Sequence, residues 1–264
     1  MNSTTIGAAK QQARQWPPHN ELQREDSEFG DVYKALAASG IFSRTNTETV
    51  SAWAKQLVPE RFAPGHIVGA QRGLGSGLFV IVSGKVKVSY RIPEGSEIIL
   101  TILGSAEIFG AAALFDPESR EITVTTLTEV VAVPIERETL LVWMAERPEV
   151  RDQVLRLFAR WASATTNSLA DFAFVDAHRR VASRLLFLRQ RFGRREGDVV
   201  RVVHDLTLKD FARLVGDAPK TIVAVLHDFE NRGWIRLEGN SVVIVDGHAL
   251  ASLSPMCMSE VPCA

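Results

Sequence analysis

The stretch from Thr207 to Val245, TLKDFARLVGDAPKTIVAVLHDFENRGWIRLEGNSVVIV, leaves its chain few ways to fold. Thr207 and Asp210 form a hydroxyl-then-acid pair at the spacing that opens a helix. Phe211, Leu214 and Val215 give that helix one apolar face, and Gly216 ends it. After Asp217 and Ala218 a second helix starts with Pro219, where a missing N–H does no harm. Ile222, Val225, Leu226 and Phe229 recur at helical spacing and mark its buried side. Two short β-rich runs, Trp234–Leu237 and Val242–Val245, flank Glu238, Gly239, Asn240 and Ser241, which reads as a hairpin. Helix, glycine turn, helix, hairpin is the layout of a winged helix-turn-helix. A further helix, His178–Phe192, a loop GRREGD and a strand Val199–Val203 precede it.

Residues 62–137 have a different texture. The runs HIVGA, GLFVIVSG, KVKVSYRI, EIILTIL and ITVTTLTEVVAVPI are β-rich and separated by glycine-containing turns. From Lys85 to Tyr90 the apolar–polar alternation is strict, as in a strand with one wet face. Several short, evenly spaced strands predict an antiparallel barrel or sandwich. The stretch Phe109 to Arg120 (FGAAALFDPESR) breaks this rhythm and is too alanine-rich for a strand, so a single helical turn is expected there. Upstream, Val32, Leu36, Ile41 and Phe42, then Val50, Trp53, Ala54 and Leu57, predict two short helices from Asp31 onward.

Between the two regions the spacing predicts one long helix from Pro148 to about Phe174. It carries two apolar rows, Val150/Val154/Leu157/Trp161/Ala164 and Leu155/Phe158/Ala162/Thr165/Leu169/Phe172. One row can cover the barrel while the other meets a partner helix. The net charge of −1 hides an asymmetry: residues 178–239 hold 13 Lys+Arg against 8 Asp+Glu, behind a mildly acidic body. That balance suits a polyanion-binding module attached to a regulatory one. At 264 residues two domains are expected. No run of 18 apolar residues occurs, so no membrane span is predicted, and the N-terminus lacks the apolar core of a secretory signal. Both cysteines, Cys257 and Cys263, fall in the last eight residues, so no disulfide framework staples the fold and a reducing cytoplasm is the natural setting.

Taken together, FAPGHIV, GLFVIVSGKVKV, FGAAALFDPESR, the LADFAF end of the long helix, Gly193, LTLKDFARLVG and RGWIRLEG resemble the cyclic AMP receptor (CRP/FNR) family of bacterial transcription regulators. The resemblance runs from about Asp31 to Asp246 and is closest to actinobacterial members. The oxygen-sensing branch, with its cysteine cluster, does not fit a chain whose first cysteine is Cys257. The expected fold is α+β: a flexible arm over 1–30, a cyclic-nucleotide-binding β-roll over 31–147, a dimerisation helix over 148–176, a winged helix-turn-helix over 177–247 and a flexible tail over 248–264. The resemblance implies a homodimer that reads palindromic double-stranded DNA and works with RNA polymerase.

It also implies an effector pocket in which a helix N-terminus and an arginine hold a cyclic phosphate, a sound anion site. Gly110 and Arg120 match that cassette, with Ala112 beside them. The glutamate that usually follows the glycine is Ala111, and the hydroxyl residue that usually follows the arginine is Glu121. Losing the acid forfeits a charged hydrogen bond of about 1.5–3 kcal/mol, and Glu121 either repels a phosphate or occupies Arg120. Thr165 and Thr166 match the polar pair that meets the base. Weak or absent control by cyclic AMP is therefore expected, with no required cofactor. For DNA, Thr207 and Lys209 match phosphate-contact positions, Pro219, Lys220, Thr221, Ala224 and His227 are the exposed candidates for meeting base edges, and Asp217 is counted with the DNA-binding residues. The usual Arg, Glu and Arg are Pro219, Lys220 and Ala224 here, so a different consensus is expected.

Two other functions fit less well. A regulator answering to oxidation of Cys257 and Cys263 remains open. An enzyme finds little support: the six histidines show no HExxH spacing, and neither a Walker A nor a GxSxG motif occurs.

Overall fold

The computed structural model describes residues 19–68, 77–91, 97–110, 122–174 and 176–253. Two helices come first, α1 (His19–Ala38) and α2 (Thr47–Ala54), the latter capped by the Asn46 side chain, which accepts from the Thr49 N–H. Among the described residues the strands that follow are β1 (Glu60–Phe62), β2 (Ile67–Val68), β3 (Gly77–Ser83), β4 (Val86–Arg91), β5 (Glu97–Leu103), β6 (Ile108–Phe109), β7 (Ile122–Thr126) and β8 (Val130–Glu136). Then come α3 (Arg137–Glu146), the long α4 (Pro148–Phe174) and α5 (Ala177–Phe192). The last part holds β9 (Gly193–Glu196), β10 (Val199–Val203), α6 (Leu208–Val215), α7 (Pro219–Asn231), β11 (Ile235–Glu238), β12 (Ser241–Ile244) and α8 (Gly247–Leu253).

The first eight strands make two antiparallel four-stranded sheets, in the orders β1-β8-β3-β6 and β2-β7-β4-β5. Alternation along β3 explains how both sheet faces are used. Phe79 and Ile81 point into a core shared with Val68, Val86, Leu103, Phe109 and Val124 of both sheets, which closes the roll. Leu78 and Val80 point the other way, into a second core with α1, α2, α3 and α4. Trp53 and Trp143 stack there at 4.1 Å between ring centres, with Phe42 edge-on to both. Gly84 turns the chain from β3 to β4 at φ 93°, where a Cβ would lie 2.2 Å from the Glu129 carbonyl oxygen. Only glycine fits that turn.

The third sheet, ordered β11-β12-β10-β9, backs α5, α6 and α7 in the C-terminal region. Its core is continuous with Ile99 and Ile102 of β5, so the roll and the C-terminal region are packed together in this structure. The Gly104 position is closed by Phe192, whose ring carbon stands 2.8 Å from where a Cβ would be.

Four boundaries differ from expectation. The first helix begins at His19, inside the arm expected over 1–30. Strong helix formers (Glu21, Leu22, Gln23, Arg24, Glu25) carry it, Phe29 packs on the core, and Glu28 pairs with Arg61 at 3.0 Å. The GRREGD segment is partly strand, because β9 completes a ladder with β10 that only the folded sheet offers. The start of the tail expected from 248 is helical: the Asp246 side chain accepts from Ala249 N–H, and Leu250 is fully buried. Helix α3 was not anticipated, although Leu140 and Trp143, three residues apart and both buried, are its signal. The single turn expected over 109–120 lies outside the described residues beyond Gly110.

Candidate nucleic-acid interface and effector segment

The opening of α6 shows how local chemistry sets up the interface. Thr207 is the N-cap: its hydroxyl oxygen accepts from the Asp210 N–H (3.1 Å), and its O–H donates to the Asp210 carboxylate (2.8 Å). The acid of the expected capping box thus turns to the threonine hydroxyl, and its other oxygen accepts from Lys87 Nζ on β4 at 2.7 Å. Burial opposes the Asp210 charge, yet the bonds from Lys87 and Thr207, with the Lys87 and Arg213 charges, hold its carboxyl below the usual carboxylate range. Thr207 and Lys209 remain exposed at the helix start.

Gly216 adopts φ 77° and its N–H, like that of Asp217, returns to the Ala212 carbonyl. This left-handed C-cap reverses the chain so that α7 can start three residues on. Asp217 is anchored rather than projecting: Arg180 of α5 donates to its Oδ2 at 2.5 Å, and its Oδ1 accepts from the Ala218 N–H at 2.7 Å. Helix α7 buries Ile222, Val225, Leu226 and Phe229 and presents Pro219, Lys220, Ala224 and His227 to solvent, with Thr221 half-buried. Among the sequence-selected residues, Thr207, Lys209, Pro219, Lys220 and Ala224 are each exposed, Thr221 is half-buried, and Asp217 is held by Arg180.

The tip of the wing is tied to the loop that leads into α6. Asn240, at the tip of the β11–β12 turn, donates through Nδ2 to Asp205 Oδ1 at 2.9 Å, and its carbonyl accepts from the His204 and Asp205 N–H groups. Asp205 sits at φ 55° in the left-handed region, which aspartate tolerates better than most residues. Its Oδ2 accepts from Lys85 Nζ at 2.7 Å. Burial keeps the neighbouring His204 imidazole below its ordinary pKa, against the pull of Asp205, and its Nδ1 accepts from the Leu206 N–H. Neither Asp205 nor the two β4 lysines was singled out from sequence. A lysine–aspartate pair 120 residues apart leaves no local signal.

The effector segment is described only up to its glycine. Strand β6 pairs with β3 and stacks Phe109 on Phe79 at 4.9 Å, then Gly110 turns at φ 88°. A Cβ there would come 2.7 Å from the Gly77 carbonyl oxygen, so the position needs glycine for both conformation and space. Ala111, Ala112, Arg120 and Glu121 lie outside the described residues, as do the side chains of Thr165 and Thr166 and both cysteines. Among the described residues, no cluster of histidine, cysteine, aspartate or glutamate is disposed to hold a metal ion. No described helix is long and apolar enough to cross a membrane.

Two family descriptions match the two regions. Residues 59–147 match the cyclic nucleotide-binding domain, and residues 179–253 match the Crp-like helix-turn-helix domain. A CRP-like cAMP-activated global transcriptional regulator from Mycobacterium tuberculosis is 48% identical over 216 residues, covering 82% of this chain and 96% of that protein. The chain belongs to the CRP/FNR family of transcription regulators. A cyclic AMP receptor protein from Thermus thermophilus is 27% identical over 78% of this chain and 90% of its own length. Among solved structures, FixK2 from Bradyrhizobium japonicum superposes with a TM-score of 0.66, covering 75% of this chain and 97% of that one at 14% identity, which speaks to fold alone. CRP/FNR membership makes this a DNA-binding regulator with an α+β fold, and not an enzyme.

Proposed function

We propose that the chain binds a palindromic DNA site as a homodimer, regulates transcription in the cytoplasm together with RNA polymerase, and answers only weakly to cyclic AMP. The observation that carries the dimeric reading is the split character of α4. Val150 and Val154 are buried against the roll, whereas Leu155 of the second apolar row is 61% exposed. A large apolar side chain left in water on a helix already packed along its other side suits a second copy of the same helix. The exposure of Thr207, Lys209, Pro219, Lys220 and Ala224 supports major-groove reading from the start of α7.

Weak effector control rests on Ala111 and Glu121 in place of the residues that usually complete the cassette. The mycobacterial and Thermus relatives carry cyclic AMP in their names, which favours the same nucleotide as the ligand to test here.

Selection from a random duplex library, repeated with and without cyclic AMP, tests both parts. The expected product is a palindrome with half-sites about 34 Å apart, enriched nearly as well without the nucleotide. Lys220→Ala is expected to change the selected bases, costing about 1–3 kcal/mol at one position, while Lys209→Ala weakens all sequences alike. A footprint on the usual family consensus would overturn the base-reading assignment. Sub-micromolar calorimetric affinity for cyclic AMP, abolished by Arg120→Ala, would overturn the weak-effector assignment.

A further inference from the structure

Among the described residues, the ion pairs Lys85–Asp205, Lys87–Asp210, Glu97–Arg213 and Glu107–Arg191 join the roll to the C-terminal region. The first two stand apart because of where their acids lie. Asp210 is one hydrogen bond from Thr207 at the start of α6, and Asp205 is one hydrogen bond from Asn240 at the wing tip. Both neighbours are exposed, and Thr207 is a phosphate contact in the reading above. Two carboxylates behind exposed residues of a DNA-binding module oppose binding, since phosphate neutralisation dominates affinity for duplex DNA.

The structure supplies their counter-charges from another domain. Lys85 and Lys87 alternate with Val86 on β4, and each reaches its aspartate at 2.7 Å. The four side chains are 12–18% exposed, so water screens them little. Arg213 also lies 3.9 Å from Asp210 but makes its closer pair with Glu97 at 2.5 Å, leaving Lys87 as the main partner of Asp210. With both lysine pairs formed, Thr207, Lys209, Pro219, Lys220, Ala224 and Asn240 all stay exposed, so the docked roll neutralises the two acids without covering these residues.

We infer that Lys85 and Lys87 of the nucleotide-binding domain are positioning residues for DNA affinity, acting by neutralising Asp205 and Asp210 behind Asn240 and Thr207. The inference rests on the DNA-binding reading. In the full-length protein, K85M/K87M leaves two uncompensated carboxylates and weakens binding to the selected palindrome on the order of tenfold at about 50 mM salt, with a smaller gap at higher salt. D205N/D210N keeps acceptors for Thr207 and Asn240 but removes the charges, and binds several-fold tighter than wild type. Joining all four substitutions returns affinity to within about threefold of wild type, a rescue that loss of packing would not give.

Mobility shifts across a salt series read all four proteins, with thermal melts alongside. Unchanged or tighter binding by K85M/K87M would overturn the assignment, as would a loss that the added D205N/D210N fails to rescue. Should K85M/K87M not fold, weaker or equal binding by D205N/D210N alone overturns it. A wild-type chain that shifts no duplex at all would instead overturn the DNA-binding reading, and this inference with it.

Discussion

A Leu155→Glu chain is expected to run as a monomer in sedimentation or light scattering and to bind a full palindrome at least about 100-fold more weakly than wild type. Leu155 is 61% exposed in the single chain, so a glutamate there should barely change the stability of the protomer. In a dimer the same position would face its counterpart helix, and two carboxylates would be buried or brought together, at a cost of several kcal/mol. Losing the second subunit converts two linked half-site contacts into one, which removes an effective-concentration gain of roughly 10²–10⁴. Leu155→Met conserves apolar volume and should keep both dimer and affinity. A wild-type chain that is already monomeric at micromolar concentration, or a dimeric Leu155→Glu protein, would refute the α4 interface.

The second large effect belongs to the core behind the reading helix. Phe229→Ala should destabilise the C-terminal region by about 3–5 kcal/mol, measured by urea unfolding followed through tryptophan fluorescence. Phe229 is fully buried, its ring lies edge-on to His178 at 5.9 Å and tilted against Trp234 at 5.4 Å, and its carbonyl accepts the Trp234 N–H. One residue thus ties α7 to α5 and to the turn that leads into the first wing strand. Its loss leaves a cavity that three separate elements would have to collapse around. The same variant should lose sequence-specific DNA binding, because Pro219 and Lys220 ride on the helix it anchors. Phe229→Leu fills most of the space and should cost far less. A penalty below about 1 kcal/mol for the alanine variant would mean the site repacks and the anchoring argument fails.

Much of the reading head was legible before any coordinates. Thr207 as a cap, Gly216 in a left-handed turn and Pro219 at a helix start are dictated by backbone sterics and N–H accounting within a few residues. The helical repeat of α4 is likewise a local period, whereas the strict alternation expected from Lys85 to Tyr90 breaks at a register shift between Val88 and Ser89 that buries Ser89. Less legible were pieces whose structure depends on a neighbour. The 19–30 segment is polar enough to pass for an arm, and its helix gains from Phe29 and the Glu28–Arg61 pair, which need the roll in place. Strand β9 reads as a charged loop until β10 offers it a ladder.

The candidate site divides along the same line. From its sequence alone, this chain determined that it has a run of short antiparallel strands, a long doubly apolar helix and a helix–turn–helix with a hairpin, because these follow from covalent geometry and from apolar spacing along the chain. Its altered residues Ala111, Glu121, Pro219, Lys220 and Ala224 are equally plain in the sequence. Only the tertiary structure decided which aspartates are spoken for. Asp217 looks like a DNA contact until Arg180, 37 residues upstream, is seen to hold it. Asp210 looks like half of a capping box until Lys87, 123 residues away, takes its free oxygen. A charge carries no mark of its partner, and Coulomb attraction acts through space, so only the folded chain brings those lysines within 2.7 Å of the acids behind Thr207 and Asn240.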